Sequence, residues 1–283
     1  MTEPRPIPFA WPDGLVLDVL LNRLRTETVL GVTRQWRSSA SMVWDVVGGP
    51  DGGWVVTPHD IVRDVLEHSE PVRGVYDHRA AIHLLDDLLP TLHVDAQAQL
   101  VAVSELEWIR DGVLADHLRS NAPRAVVDVL ERLMSESASR QRVSTLWNGL
   151  AGLWAGRRLE VGALYELHYD EPMPMLGGQP LGMVCELTCL GDGEELELGA
   201  VTRLGDAGVD AIVTALLSGP IRDVTFSAAD WQSVVSLRAD AKDLVPRKMT
   251  YETRRSAMTQ GPGGELRWTQ ATELQAWEFV RRY

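Results

Sequence analysis

"LWNGLAGLWAGRRLEVGALYELHY", Leu146 to Tyr169, opens with apolar residues at helical spacing and closes with apolar residues alternating as in a strand. Trp147, Leu150 and Trp154 fall on one helix face, while Tyr165, Leu167 and Tyr169 fall on one strand face. Only "AGRRLEVG" separates the two patterns. A bulky helix joined this directly to a strand implies a helix layer packed on a sheet.

Upstream, the helix stripe begins at Val143 and runs through Leu146, Trp147, Leu150, Leu153 and Trp154, spaced by three and four, and Gly156 can stop it. Two further helices are expected before it. One opens at the capping box "SELE", Ser104–Glu107, and one starts at Asn121 and Pro123 with Val126, Leu130, Leu133 and Met134 on one face. Earlier still, "WRSSASMVWDVVGGPDGGWVV" reads as a hairpin. Trp36, Ala40, Met42, Trp44 and Val46 alternate with Arg37, Ser39, Ser41 and Asp45, and "GGPDGG" suits a tight turn. The run "GLVLDVLLNRLRTET" fits helix or strand, since Leu17, Leu20, Leu21 and Leu24 satisfy a helix and its length a strand. A short hairpin follows at "PTLHVDAQAQLVAV", with Asp95 at the turn.

Downstream, Met183, Cys185, Leu187 and Cys189 line one side of a strand that turns at "GDGEE" into "LELGAVTRL". Asp206 caps an expected helix with Val209, Ile212, Val213, Leu216 and Leu217 as its stripe. The chain ends as a β-meander with turns at "AKD" and "GPGG". Its apolar residues change face between Trp268 and Trp277, which predicts a bulge or bend near Ala271. No regular βα alternation appears, so the expected class is α+β: a curved antiparallel sheet, or unclosed β-barrel, wrapped around helices. A single domain over residues 1–283 is expected, with N-terminal strands over 1–103, a helical segment over 104–156, and a C-terminal meander with one helix over 157–283.

Composition bounds the function. The 283 residues carry a net charge of −13, which argues against nucleic acid and against a charge-held anionic membrane surface. No apolar run is long enough to span a membrane. The N-terminal "MTEPRPIPFAWPDG" lacks the basic and apolar regions of a signal peptide and any lipid-attachment cysteine. A cytoplasmic location is therefore expected, or a periplasmic one where an export signal has been removed. The two cysteines make no disulfide framework. On a strand Cys185 and Cys189 share a face about 13 Å apart, as buried thiols rather than a bridge.

"WNGLAGLWAGRRLEVGALYELHYDEPMPMLGGQPLGMVCEL" and "SLRADAKDLVPRKMTYETRR" resemble a pattern of uncharacterised bacterial proteins: a helix ending in Trp, a strand led by Gly, a Pro/Gly-rich turn and a hairpin through "Leu-x-Pro". That group is similar to the outer-membrane lipoprotein carrier class, an unclosed antiparallel barrel around helices. The resemblance covers about Leu146 to Tyr283, with a weaker echo in "PTLHVDAQAQLVAV". It implies either carriage of acyl chains on a concave apolar face or, as in a violacein-pathway enzyme of similar half-barrel form, chemistry without metal or cofactor. This chain lacks the class's export signal and lipobox.

Candidate chemistry is sparse. Glu166, His168 and Asp170 alternate on one strand face about 7 Å apart, an acid–base set for His168 with either carboxylate. "TPHDIVRDVLEH" offers His59, Asp60, Asp64 and His68 without the His pair of a metalloprotease helix, and His78 and His83 are likewise scattered. No nucleophile elbow, Walker loop or dinucleotide fingerprint occurs. The ten Trp outnumber Phe and Tyr combined, and Trp36, Trp44, Trp147, Trp154, Trp231, Trp268 and Trp277 fall on presumed inner faces. They suit an aromatic core or an apolar pocket. The leading expectation is non-catalytic binding of a hydrophobic or amphipathic small molecule between sheet and helices. Trp147, Trp154, Tyr165, Tyr169, Met173 and Met175 would line the site, with no metal or cofactor. A cofactor-independent enzyme and a module docking a partner protein segment are the alternatives.

Overall fold

The alternating run from Trp36 to Val46 folds as it reads, into a strand whose even-numbered members, the half-buried Ser38 excepted, are buried. The computed structural model describes residues 6–29, 31–49, 51–68, 89–107, 109, 111, 131, 136–173, 179–205, 225–260 and 265–282. The expected helices opening at Asn121 and at Asp206 lie outside them, as do His78, His83 and the "GPGG" turn.

Five strands precede the helical segment: β1 (Leu15–Val29), β2 (Val32–Gly48), β3 (Trp54–His68), β4 (Thr91–Val94) and β5 (Leu100–Ser104). Helix α1 (Glu136–Trp147) continues into a π turn (Asn148–Gly152). Six strands follow: β6 (Leu164–Met173), β7 (Gln179–Asp192), β8 (Glu195–Leu204), β9 (Thr225–Asp240), β10 (Pro246–Gln260) and β11 (Leu266–Arg281). All eleven described strands join one antiparallel sheet in the order β5-β4-β3-β2-β1-β11-β10-β9-β8-β7-β6. The sheet is unclosed, with β5 and β6 at its two edges. Helix is scarcer than the α+β expectation: among the described residues α1 and the π turn are the only extended helical elements.

The ambiguous segment at Leu15–Val29 is strand. Leu15, Leu17, Val19 and Leu21 point to the buried face, whereas Leu20 is exposed. Pairing to β2 on one side and β11 on the other decides the matter. In β3, Pro58 stands opposite Trp44 of β2, beyond the stretch Trp54–Val56 that pairs with β4. Asp60, at φ 51°, absorbs the register shift opposite Ser41 and Val43. Gly53 is required where β3 meets β4, since a Cβ there would collide with the carbonyl oxygen of Val94.

One face of the sheet is covered and the other solvated. On the covered, inner face lie α1 and the π turn, with Ser139, Val143, Trp147, Leu150 and Trp154 buried at helical spacing. Gly149 lets the π turn approach closely: a Cβ there would stand 3.1 Å from the sulfur of Met249. The N-terminal segment clamps this layer. Ile7 N–H donates to the carbonyl of Arg157, and Gly156 N–H donates back to Ile7. Trp11 gives its indole N–H to the Leu244 carbonyl, and Trp54 gives its own to Trp11. The outer face carries cross-strand ion pairs, such as Arg238–Glu197 and Lys248–Glu278, each worth about 0–1 kcal/mol.

Two expectations are corrected. Ser104 stays the last residue of β5, and its hydroxyl pairs with His93 Nε2 instead of opening a capping box, but helix does follow: after Glu105, at φ 67°, Leu106, Glu107, Ile109 and Asp111 are helical, and Ile109 N–H donates to the Glu105 carbonyl. No bulge occurs at Ala271, because β11 keeps unbroken register with β10 and β1 through that point. Trp268 lies on the outer face, 48% exposed, while Trp277 is buried. The apolar pattern shifts because the inner face itself turns polar at Gln275 and Glu273 and carries only the small Ala271 beyond them.

Candidate functional site

Strand register lays the inner face out in rows, each about 7 Å from the next. One row is apolar throughout: Leu21, Trp277, Met249, Leu237, Leu198 and Cys189. The next mixes Arg23, Gln275 and Tyr251 with Val235, Leu187 and Tyr165. A third runs Trp36, Arg25, Glu273, Thr253, Ser233, Thr202, Cys185 and Leu167. A fourth holds Arg34, Glu27, Ala271, Arg255 and Trp231. Along the strands, the face grades from apolar to charged within about 20 Å.

At the boundary sits a buried ion pair. Arg23 Nε stands 3.3 Å from Glu273 Oε1, their side chains 3% and 11% exposed. Gln275 donates to the same carboxylate oxygen at 2.8 Å and accepts from the Trp277 indole at 3.2 Å. Burial pushes the Glu273 carboxyl up. Arg23, the Gln275 amide, Arg25 and Arg255 pull it down more, so it lies below the usual carboxylate range.

At the other side of the sheet, the end of the helical segment lifts away from the strands. Gly156–Leu159 and the side chains of Tyr165, Leu167 and Leu187 bound a gap of about 370 Å³. Tyr165 hydroxyl accepts the Glu160 N–H at 2.9 Å, which fixes one wall. Tyr169 is 39% exposed beyond it. Trp147 and Trp154 are fully buried, and both indole N–H groups go to the protein's own carbonyls, of Ala98 and Gly149, each at 2.8 Å. They form the floor of this layer and have no N–H left to offer a ligand. The Trp147 ring packs on Trp11 and Phe9, centroids 5.4 and 6.0 Å away. Met173 ends β6 opposite Gln179; its side chain, and all of Met175, lie outside the described residues.

The acid–base set lies on the outer face of edge strand β6. His168 Nε2 is 2.7 Å from Glu166 Oε1, with the His168 side chain 70% exposed. Asp170 shares with them a shallow depression of about 620 Å³ that Arg203 and Gly205 also border. The pair can exchange protons, in full contact with solvent. Cys185 and Cys189 are free and buried, as expected of structural thiols; burial raises both above the usual thiol range.

Two clusters were not assembled from the sequence, although it offered His59 and Asp60 of the first. His59 bridges two carboxylates, Nε2 to Asp45 at 3.0 Å and Nδ1 to Asp60 at 3.2 Å. The two acids sit on opposite ring nitrogens, so they cannot chelate one metal with it. Among the described residues no group of three His, Cys, Asp or Glu is placed to hold a metal ion. The second cluster is Arg23, Arg25, Arg255 and Glu273; same-parity charges at Arg23, Arg25 and Glu273 were its only trace.

Neither a family model nor a curated protein matches the chain. Among solved structures, one of lipid–protein interactions in lipovitellin matches 95% of this chain at 10% identity and a TM-score of 0.47. This chain spans 25% of that one. No described helix is long and apolar enough to cross a membrane.

Proposed function

We propose that the chain binds a hydrophobic or amphipathic small molecule between the sheet and the helical segment lying on it, without catalysis. The observation that supports this best is the gap of about 370 Å³ beside β6, walled by Leu159, Tyr165, Leu167 and Leu187 and bordered by Arg157, Arg158 and Glu166. Apolar and aromatic walls with a few polar groups at the rim are what such ligands need. Tyr169 follows Tyr165 and Leu167 on the same face of β6, and Met173 and Met175 are the adaptable side chains we assign to such a ligand.

Titration with a fluorescent fatty-acid analogue tests the reading. Leu167→Trp would fill the gap and is expected to weaken binding about tenfold, with the melting temperature held within a few degrees. Native mass spectrometry of protein from its own host should show a bound lipid or small molecule. Absence of any co-purifying ligand, together with no binding at about 100 μM analogue, would sink it.

The 2.7 Å contact of Glu166 with His168 favours a second reading, a cofactor-independent enzyme working at the β6 edge. His168→Gln would then abolish turnover of a substrate without changing its binding.

A further inference from the structure

We propose that the charged end of the inner face holds the anionic headgroup of an amphiphile whose chain runs across the strands toward the gap at Tyr165, Leu167 and Leu187. This rests on the binding reading above and names the class of ligand.

The charge distribution points there. Over the whole chain acids outnumber bases, 40 to 27. The inner face of β1, β2, β3, β10 and β11 reverses that balance. By register, Arg23, Arg25, Arg34, Arg63 and Arg255 face inward there, against Glu27 and Glu273 among the side chains described. A protein with so large an acidic excess has gathered guanidinium groups on its inner face, Arg23 buried, Arg25, Arg34 and Arg63 half-buried and Arg255 exposed. Every one of these bases is arginine, whose planar fork binds carboxylate or phosphate oxygens in pairs.

Burial sharpens the point. Arg23 is 3% exposed and already held by Glu273. Desolvating such a pair contributes little net stability, so an apolar pair of similar volume would serve the fold as well. Arg25 stands directly across from Glu273, and Arg255 is one row further on. Among the described residues neither Arg25 nor Arg255 makes a hydrogen bond or an ion pair. Two carboxylates, Glu273 and Glu27, thus stand among four guanidinium groups, those of Arg23, Arg25, Arg34 and Arg255, a local surplus of positive charge suited to an incoming anion. Hydroxyl donors extend from it: Thr253, Ser233 and Thr202 are buried in the same row as Arg25 and Glu273, which ends at Leu167 in the wall of the gap. A headgroup at Arg25 and Arg255 would therefore have a polar path on one side and apolar rows on the other.

Calorimetric titration of the full chain with oleate, oleyl alcohol and inorganic phosphate separates the possibilities. Oleate is expected to bind at least about tenfold tighter than oleyl alcohol, and phosphate not to bind below millimolar concentration. The double variant Arg25→Gln, Arg255→Gln should erase the oleate preference and leave oleyl alcohol unchanged, whereas Arg25→Lys, Arg255→Lys should keep part of it. Arg238→Gln, on the outer face, should change nothing, and thermal unfolding of each variant checks that it folds. Equal binding of oleate and alcohol overturns the headgroup assignment while the binding reading stands. So does an oleate preference that survives the double Gln variant, which would mean that the chain's own carboxylates neutralise these arginines. Phosphate binding as tight as oleate makes the site one for a free anion and overturns the assignment too. If neither oleate nor its alcohol binds, the binding reading itself fails.

Discussion

Glu273 concentrates the energetic stakes of the inner face in one carboxylate. Its pKa is depressed when folded, so its stabilising contribution is present above the unfolded glutamate value of about 4.3 and is lost as pH falls through the lower folded value. Glu273→Gln leaves Arg23 buried without its counter-charge. We expect it to lower stability by about 3 kcal/mol at pH 7 and to flatten the acid limb of the stability curve. Urea denaturation at pH 7 and pH 3 reads both effects, and an unaltered acid limb would contradict the assignment. Asp18 has a depressed pKa through Arg282 as well, but that pair is fully exposed and salt-screened, so it adds little to the same limb.

At the scale of elements, the join between α1, its π turn and β6 hangs on Trp147. Its ring is fully buried against Trp11 and Phe9, and its N–H meets the otherwise open Ala98 carbonyl. Trp147→Ala should cost about 3–5 kcal/mol, measured as a shift of the urea midpoint at constant slope. Trp147→Phe should cost less, chiefly the lost hydrogen bond. These elements were legible in advance where periodicity was local: the stripe from Val143 to Trp154, and the alternation from Trp36 to Val46. Leu15–Val29 was not, because Leu17, Leu20, Leu21 and Leu24 satisfy both periods and only its two neighbours decide. The change of pattern along β11 was visible but misattributed, since a strand that turns polar on its inner face looks in sequence like one that bends. The site was less legible still. Arg23 and Glu273 are 250 positions apart, and His59 meets Asp45 only through the irregular register of β2 with β3. Pairings of that kind depend on which strands become neighbours, which no single segment encodes.

Across the whole molecule, the sheet is two meanders joined at one seam. β1 pairs with β11 over thirteen positions, from Leu17 with Arg281 to Val29 with Thr269. Arg282 reaches Asp18 across it, and Arg281 ties back to Asp243. Removing residues 266–283 would leave both β1 and β10 as long bare edges. That deletion is expected to give insoluble protein or loss of a single cooperative transition, scored by soluble yield and calorimetry. A soluble, cooperatively melting deletion would mean the two meanders fold apart.

The seam also sets an order in time. β1 (Leu15–Val29) leaves the ribosome well before its partner β11 (Leu266–Arg281) is made. At about 5–20 residues per second, the β1 edge waits roughly 12–50 s for β11. During that interval the N-terminal meander exists as a half-sheet with an open flank. Its safety rests on whatever shelters that flank in the cell, and synthesis rate becomes a determinant of yield. Slower translation of this chain should lower the fraction that reaches the finished sheet.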